Sequence, residues 1–168
     1  MDRSDIIIRL ARESDLLIIT GIYNGVIKEG AYTADLETYS LAERRKWFLE
    51  HNTKEYGIYI LENSNDVLGY FYFSPWRAGR SALNGVAELS FYLAKSSRGH
   101  GLGNILLERA IELSKAKGFT HLLAILLDNN TRSQNLLKKW GFNLIGNLPH
   151  VAKLKVDTVG QLIMLNTL

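Results

Sequence analysis

VAELSFYLAKSSRGHGLGNILLERAIELSKAKG, residues 86–118, decides how this chain is read. Val86 to Ala94 is a β-rich run, and Arg98-Gly99-His100-Gly101-Leu102-Gly103 follows almost at once. Leu102, Leu106, Ala110 and Leu113 then recur at helical spacing. Lys115 and Lys117 fall in the last turn and Gly118 just past it, which ends the helix. The first turn of a helix carries unpaired N–H groups and a partial positive charge. Glycines let that backbone approach a phosphate, because no Cβ intervenes. Gly99, Gly101 and Gly103 alternate, so several amides can converge on one pyrophosphate, and Arg98 adds positive charge at the rim. A flexible helix cap without a ligand is the competing reading of the same turn.

Other phosphate motifs fail on spacing. A P-loop needs a lysine after its last glycine, and Asn104 stands there. A dinucleotide fingerprint counted from Gly99 needs glycine at the position that Asn104 holds. No Gly-x-Ser-x-Gly elbow and no His-Glu-x-x-His occur, and the four histidines lack metal-ligand spacing.

Outward from this centre the chain reads as alternating elements. Ile6 to Leu10 is a short strand. Ser14 is placed to cap a helix whose apolar stripe is Leu16, Ile19, Tyr23, Val26 and Ile27, ended by Gly30. Ser40-Leu41-Ala42-Glu43 is a capping box for a second helix reaching about Glu50. Tyr56 to Glu62 and Val67 to Ser74, joined by Asn63-Ser64-Asn65-Asp66, form a hairpin. Past residue 118, Phe119 to Leu127 is a buried strand and Thr131 to Trp140 a short helix; Phe142 to Ile145 and Gln161 to Asn166 close the sheet. This order predicts an α/β (α+β) fold, a mixed, mostly antiparallel sheet with helices on both faces.

The 168 residues fit one domain, residues 1–168. With no cysteine there is no disulfide, thiol nucleophile or thiolate metal site. A net charge of +3 suits a polyanionic small ligand, and no concentrated basic face points to nucleic acid. No apolar run is long enough for a bilayer, and the first residues lack an export signal, so a cytoplasmic protein is expected.

The glycine turn matches the Gln/Arg-x-x-Gly-x-Gly/Ala signature of the GNAT superfamily of N-acetyltransferases. Asn130-Thr131-Arg132-Ser133, Leu136 and Trp140-Gly141-Phe142 resemble its second motif. Ile22-Tyr23-Asn24, Arg80-x-Ala82 with Glu88 eight residues on, and Val151-x-Lys153 followed by Asp157 are similar to the phosphinothricin and methionine sulfoximine acetyltransferases. The resemblance implies acetyl-CoA as cosubstrate and transfer to the amine of a small amino acid or analogue. A peptide or protein amine, or a non-catalytic acyl-CoA-binding module, are the alternatives. It implies that the pyrophosphate meets amides from Arg98 through Gly99, His100, Gly101, Leu102 and Gly103 to Asn104. The pantetheine arm would pair with backbone of Phe91, Tyr92 and Leu93, and Asn130 and Ser133 would face its far end. Asn130 is equally suited to capping a helix. A homodimer is expected on analogy alone.

The same resemblance places the base at Glu88, where an edge carboxylate or internal ion pair is the bland alternative. A strand N–H near Leu93 would meet the oxyanion. Arg77 and Arg80 are placed to grip an acceptor's carboxylate or phosphinate, or simply to be solvated. Two positions depart from the family. Leu137 stands where a tyrosine or histidine is thought to protonate the thiolate, and Leu83 where the subgroup usually has tyrosine. Tyr92 is a weak substitute donor that more naturally packs.

Overall fold

A computed structural model describes residues 5–168. The elements follow the expected order. They are β1 (Ile7–Leu10), α1 (Leu16–Glu29), α2 (Leu41–His51), β2 (Ile58–Glu62), β3 (Val67–Pro75), β4 (Val86–Leu93), α3 (Leu102–Ala116), β5 (His121–Leu127), α4 (Thr131–Lys139), β6 (Asn143–Lys153) and β7 (Thr158–Thr167). The strands form one sheet in the order β1-β2-β3-β4-β5-β7-β6. Every neighbouring pair is antiparallel except β4 and β5.

Alternation along the central strands builds two cores. Phe71 and Phe73 of β3 and Ala87 and Leu89 of β4 pack with Leu106, Leu107 and Ala110 of α3 and Leu137 of α4. On the opposite face Ile58, Ile60 and Tyr70 meet Leu16 and Ile19 of α1 and Phe48 of α2. A strand presents successive side chains to opposite faces, so each helical pair reads its own half of the β3–β4 sequence.

The capping box opens α2 as read: Ser40 Oγ accepts from the Glu43 amide, and Glu43 accepts from the Ser40 amide at 2.8 Å. Ser14 does not cap α1. It lies inside a 3-10 turn, Glu13–Asp15, and Asp15 is the cap residue. The reason is Arg9, which donates to both Asp15 oxygens (2.7 and 2.9 Å) and both Glu62 oxygens (2.8 and 2.7 Å). β6 is far longer than the expected Phe142 to Ile145. Register shifts at Leu144/Gly146 and Leu148/Ala152 break its alternation, and His150 sits at φ 57, so no period of two is visible in its sequence.

Arg9 thus ties β1, β2 and the entry to α1. Its hydrogen bonds hold the Asp15 carboxyl below the ordinary range. Such a group stabilises above its unfolded pKa, and the contribution disappears as pH falls through the lowered folded value. Arg9→Met is expected to cost about 2 kcal/mol at pH 7. The gap from wild type should close as pH falls below about 4, as read by urea unfolding at a series of pH values.

Candidate active site

The parallel β4–β5 ladder is short. It joins only Val86, Ala87 and Glu88 to His121, Leu122 and Leu123, although β4 continues to Leu93 and β5 to Leu127. Past Glu88 the two strands part. The direction of each backbone group on β4 follows from one bond: the Ala94 amide donates to the Leu68 carbonyl at 2.9 Å. Alternate residues therefore turn their amide and carbonyl toward β3, and Tyr92 is among them. Phe91 and Leu93 turn theirs into the opening. The Leu93 carbonyl there accepts from Arg98 Nε at 3.2 Å.

The glycine turn closes this opening from below. Gly99 (φ 85) and Gly101 (φ 79) both adopt the left-handed conformation, which a Cβ would strain. Gly101 caps α3 with no side chain, which leaves the amides of Leu102 and Gly103 pointing out of the helix end. The Asn104 amide instead closes onto the Gly101 carbonyl at 3.1 Å. Gly103 has a different reason for being glycine: a Cβ there would lie 2.7 Å from Leu136 Cδ2, so its absence lets α3 approach α4.

Turn and strand edge together line a cleft of about 340 Å³. Of the residues expected at a coenzyme, Phe91, Tyr92 and Leu93 come from β4, and Arg98, Gly99 and Gly101 from the turn. Leu102, Gly103 and Asn104 come from α3, Asn130 from the cap before α4, and Ser133 from α4 itself. His100 is exposed and outside the lining. Asn130 Oδ1 accepts from the Ser133 amide at 3.2 Å, so the cap is formed within the cleft wall. Val26 and Tyr32 also line it, unforeseen from the sequence. Val26 reads there as one more position of the α1 stripe, and Tyr32 as a residue past the helix end. Arg98 lines the cleft and is also held from outside it. Its guanidinium pairs with Glu29 at 2.6 Å and lies over the Tyr32 ring, so it ties the turn to the end of α1.

Glu88, Ser90 and Tyr92 project to the other face of β4, toward α1 and α2. Glu88 is the last β4 residue paired to β5. It is half-buried, and burial pushes its carboxyl above the ordinary value. Tyr92 packs edge-on against Tyr23 (5.0 Å) and beside Tyr70 (5.3 Å), and burial holds its phenol well above 10. Arg77 and Arg80 are both exposed, in the loop leading to β4.

A family model described as the acetyltransferase (GNAT) family matches residues 26–142. The chain belongs to that family. The Bacillus subtilis protein YwnH is 34% identical over 148 residues, covering 88% of this chain and 90% of its own. An L-methionine sulfoximine/L-methionine sulfone acetyltransferase of Pseudomonas paraeruginosa is 31% identical, covering 87% of this chain and 85% of its own. Among solved structures, a GNAT superfamily phosphinothricin acetyltransferase from Sinorhizobium meliloti in complex with AcCoA superposes with a TM-score of 0.91 at 27% identity. It covers 98% of this chain and 89% of its own.

For a GNAT acetyltransferase, the two departures now have places. Leu137 is 1% exposed, in the core beneath α4. A side chain there faces neither the cleft nor water. Leu83 sits half-buried in a 3-10 turn, Ser81–Leu83, beside the exposed arginines. A direct check on the site's electrostatics is the Glu88 carboxyl itself. Followed by ¹³C NMR and assigned with Glu88→Gln, it should titrate above the ordinary glutamate value.

Proposed function

We propose that residues 1–168 form a single N-acetyltransferase domain that moves an acetyl group from acetyl-CoA to the amine of a small amino acid or analogue. The observation that carries this is the pairing of opposites at one point of β4. The free edge of Phe91 and Leu93 faces the glycine turn, while Glu88 faces away from it on the other side of the strand. Donor and acceptor can thus approach one strand from two faces. Acetyl-CoA is the ligand of the Sinorhizobium structure, and the Pseudomonas relative is named for an amino-acid analogue.

In this reading the amides of the turn, from Gly99 to Gly103, hold the pyrophosphate. The pantetheine arm adds to the β4 edge as a strand would, using Phe91 and Leu93. Asn130 and Ser133 border its inner end. Glu88 takes the proton of the acceptor's ammonium, directly or through water. The freed amine attacks the thioester carbon, and the amide of this β4 edge that lies nearest the thioester meets the oxyanion. The C–N bond forms, the nitrogen passes its second proton to water, the C–S bond breaks, and the coenzyme leaves as a thiolate. Leu137 cannot protonate it, so water at the mouth of the cleft does. Arg77 and Arg80 form the rim that draws in an anionic acceptor.

Among the described residues no helix is long and apolar enough to cross a membrane, and we place the protein in the cytoplasm. We also place it as a homodimer. β6 is an edge strand that exposes Leu144, Ile145, Leu148 and Val151, and such an edge favours pairing with a second copy.

The assignment is tested by thiol release from acetyl-CoA with amino acids, methionine sulfoximine, phosphinothricin and a short peptide as acceptors. Turnover on a free amino acid or analogue supports it, and turnover on the peptide alone overturns it. Glu88→Gln should lower kcat/KM by about 100-fold or more while coenzyme affinity stays unchanged. In the wild type, kcat/KM should fall as pH drops through the raised Glu88 pKa, because the protonated carboxyl cannot accept a proton. That limb should vanish in the variant. Gly101→Asp should abolish coenzyme binding by calorimetry, since it puts a side chain and a negative charge at a left-handed position of the turn.

A further inference from the structure

Arg44, on α2, is 5% exposed. Its guanidinium carbon lies 3.5 Å from the Trp47 ring centroid, 4.8 Å from Tyr23 and 5.9 Å from Tyr39. Stacking on rings leaves its N–H groups unspent. The buried Nε and Nη2 make no well-aligned hydrogen bond among the described residues, and the only polar group shown to feel them closely is the buried hydroxyl of neighbouring Tyr70, itself a weak and neutral acceptor. Asp35 does not neutralise the cation: its Oδ2 takes the hydroxyls of Tyr23 (2.6 Å) and Tyr39 (3.0 Å), and it forms no ion pair with Arg44. A buried charge without a counter-ion is costly, and buried donors nearly always find an acceptor.

The position of this cation relative to Glu88 gives it a use. Tyr70 and Tyr72 of β3 lie opposite Tyr92 and Ser90 of β4, on the face that carries Glu88. Trp47, stacked on Arg44, meets Tyr72 edge-on at 5.0 Å. Tyr72 feels the charges of both Glu88 and Arg44. The proton acceptor and the guanidinium thus both act on one tyrosine of this face. An α-amino acid carries its ammonium and carboxylate on one carbon, with the opposite polarity.

We propose that Arg44 is the specificity-determining residue that receives the acceptor's carboxylate while the acceptor's amine is turned toward Glu88. The inference rests on the reading of the acceptor as an amino acid. The carboxylate accepts from Nε and Nη2 as a forked pair, the geometry that guanidinium favours. Arg77 and Arg80 are exposed, and an ion pair in water gains little. Arg44 sits where the same pair is worth far more. The half-buried ring of Tyr39 borders the guanidinium at 5.9 Å.

The test compares L-methionine sulfoximine with its primary carboxamide, in which the carboxylate charge is gone, as acceptors for the full chain with acetyl-CoA. The wild type should prefer the acid by about tenfold or more in kcat/KM. Arg44→Lys keeps the charge but not the fork. It should raise KM for the acid about tenfold, leave kcat within about threefold, and change kcat/KM for the carboxamide less than about twofold. Arg44→Met should erase the preference. Should the methionine variant not fold, the lysine variant and the wild-type preference decide. Equal losses on both acceptors would make Arg44 structural and overturn the inference, as would a wild type indifferent to the carboxylate. Turnover of neither acceptor by the wild type would instead sink the amino-acid reading, and this inference with it.

Discussion

Beyond Glu88, β4 runs on without a neighbour on one side. Strand backbone cannot be left in an apolar interior with its amides and carbonyls unpaired. A sheet that opens at its centre must therefore either admit water or admit something that pairs like a strand. Around this gap the fold is otherwise closed. β5 is held along its whole length by β7, and β4 along its whole length by β3. The gap is thus rigidly framed, and its width is set by the strands on either side and not by a mobile loop.

A single strand at the edge of such a gap divides labour between its faces. Phe91 and Leu93 lend side chains to the α3 core and backbone to the opening. Glu88, Ser90 and Tyr92 lend side chains to the α1–α2 face. The two sides are still coupled through the chain that leaves α1. Glu29 and Tyr32 touch Arg98, and Tyr32 lines the cleft, while Tyr39, a few residues later, borders Arg44 with its hydroxyl held by Asp35. One short connection therefore borders both halves of the site.

The glycine turn, the strand before it and the helix after it were legible because their signals are local. Alternating glycines, a helical stripe and a lysine-glycine ending need no knowledge of distant residues. The capping box at Ser40 was legible for the same reason. Ser14 misled because Arg9 and Glu62, from two other strands, decide what Asp15 does. β6 was unreadable because bulges and a left-handed His150 erase the alternation on which a strand is recognised. At the site, the sequence could point to residues but not to the direction of their atoms. That Tyr92 turns its amide to β3, that Arg98 pairs with Glu29, and that Arg44 makes no direct ion pair are all tertiary facts. Nothing in the spacing of Arg44-Arg45-Lys46 separates the first arginine, which is buried, from Arg45, which is solvated and paired with Glu13.

Leu137 bears on how freely chemistry can be exchanged between relatives. Its side chain fills space beneath α4 in the hydrophobic cluster that holds Leu106 and Phe142. Grafting a phenol or an imidazole onto that position would overfill a dry interior and strand a polar group there before it could serve as a donor. Placing a side-chain acid at this position of α4 would therefore take a coordinated rebuilding of the layer under it, not one codon.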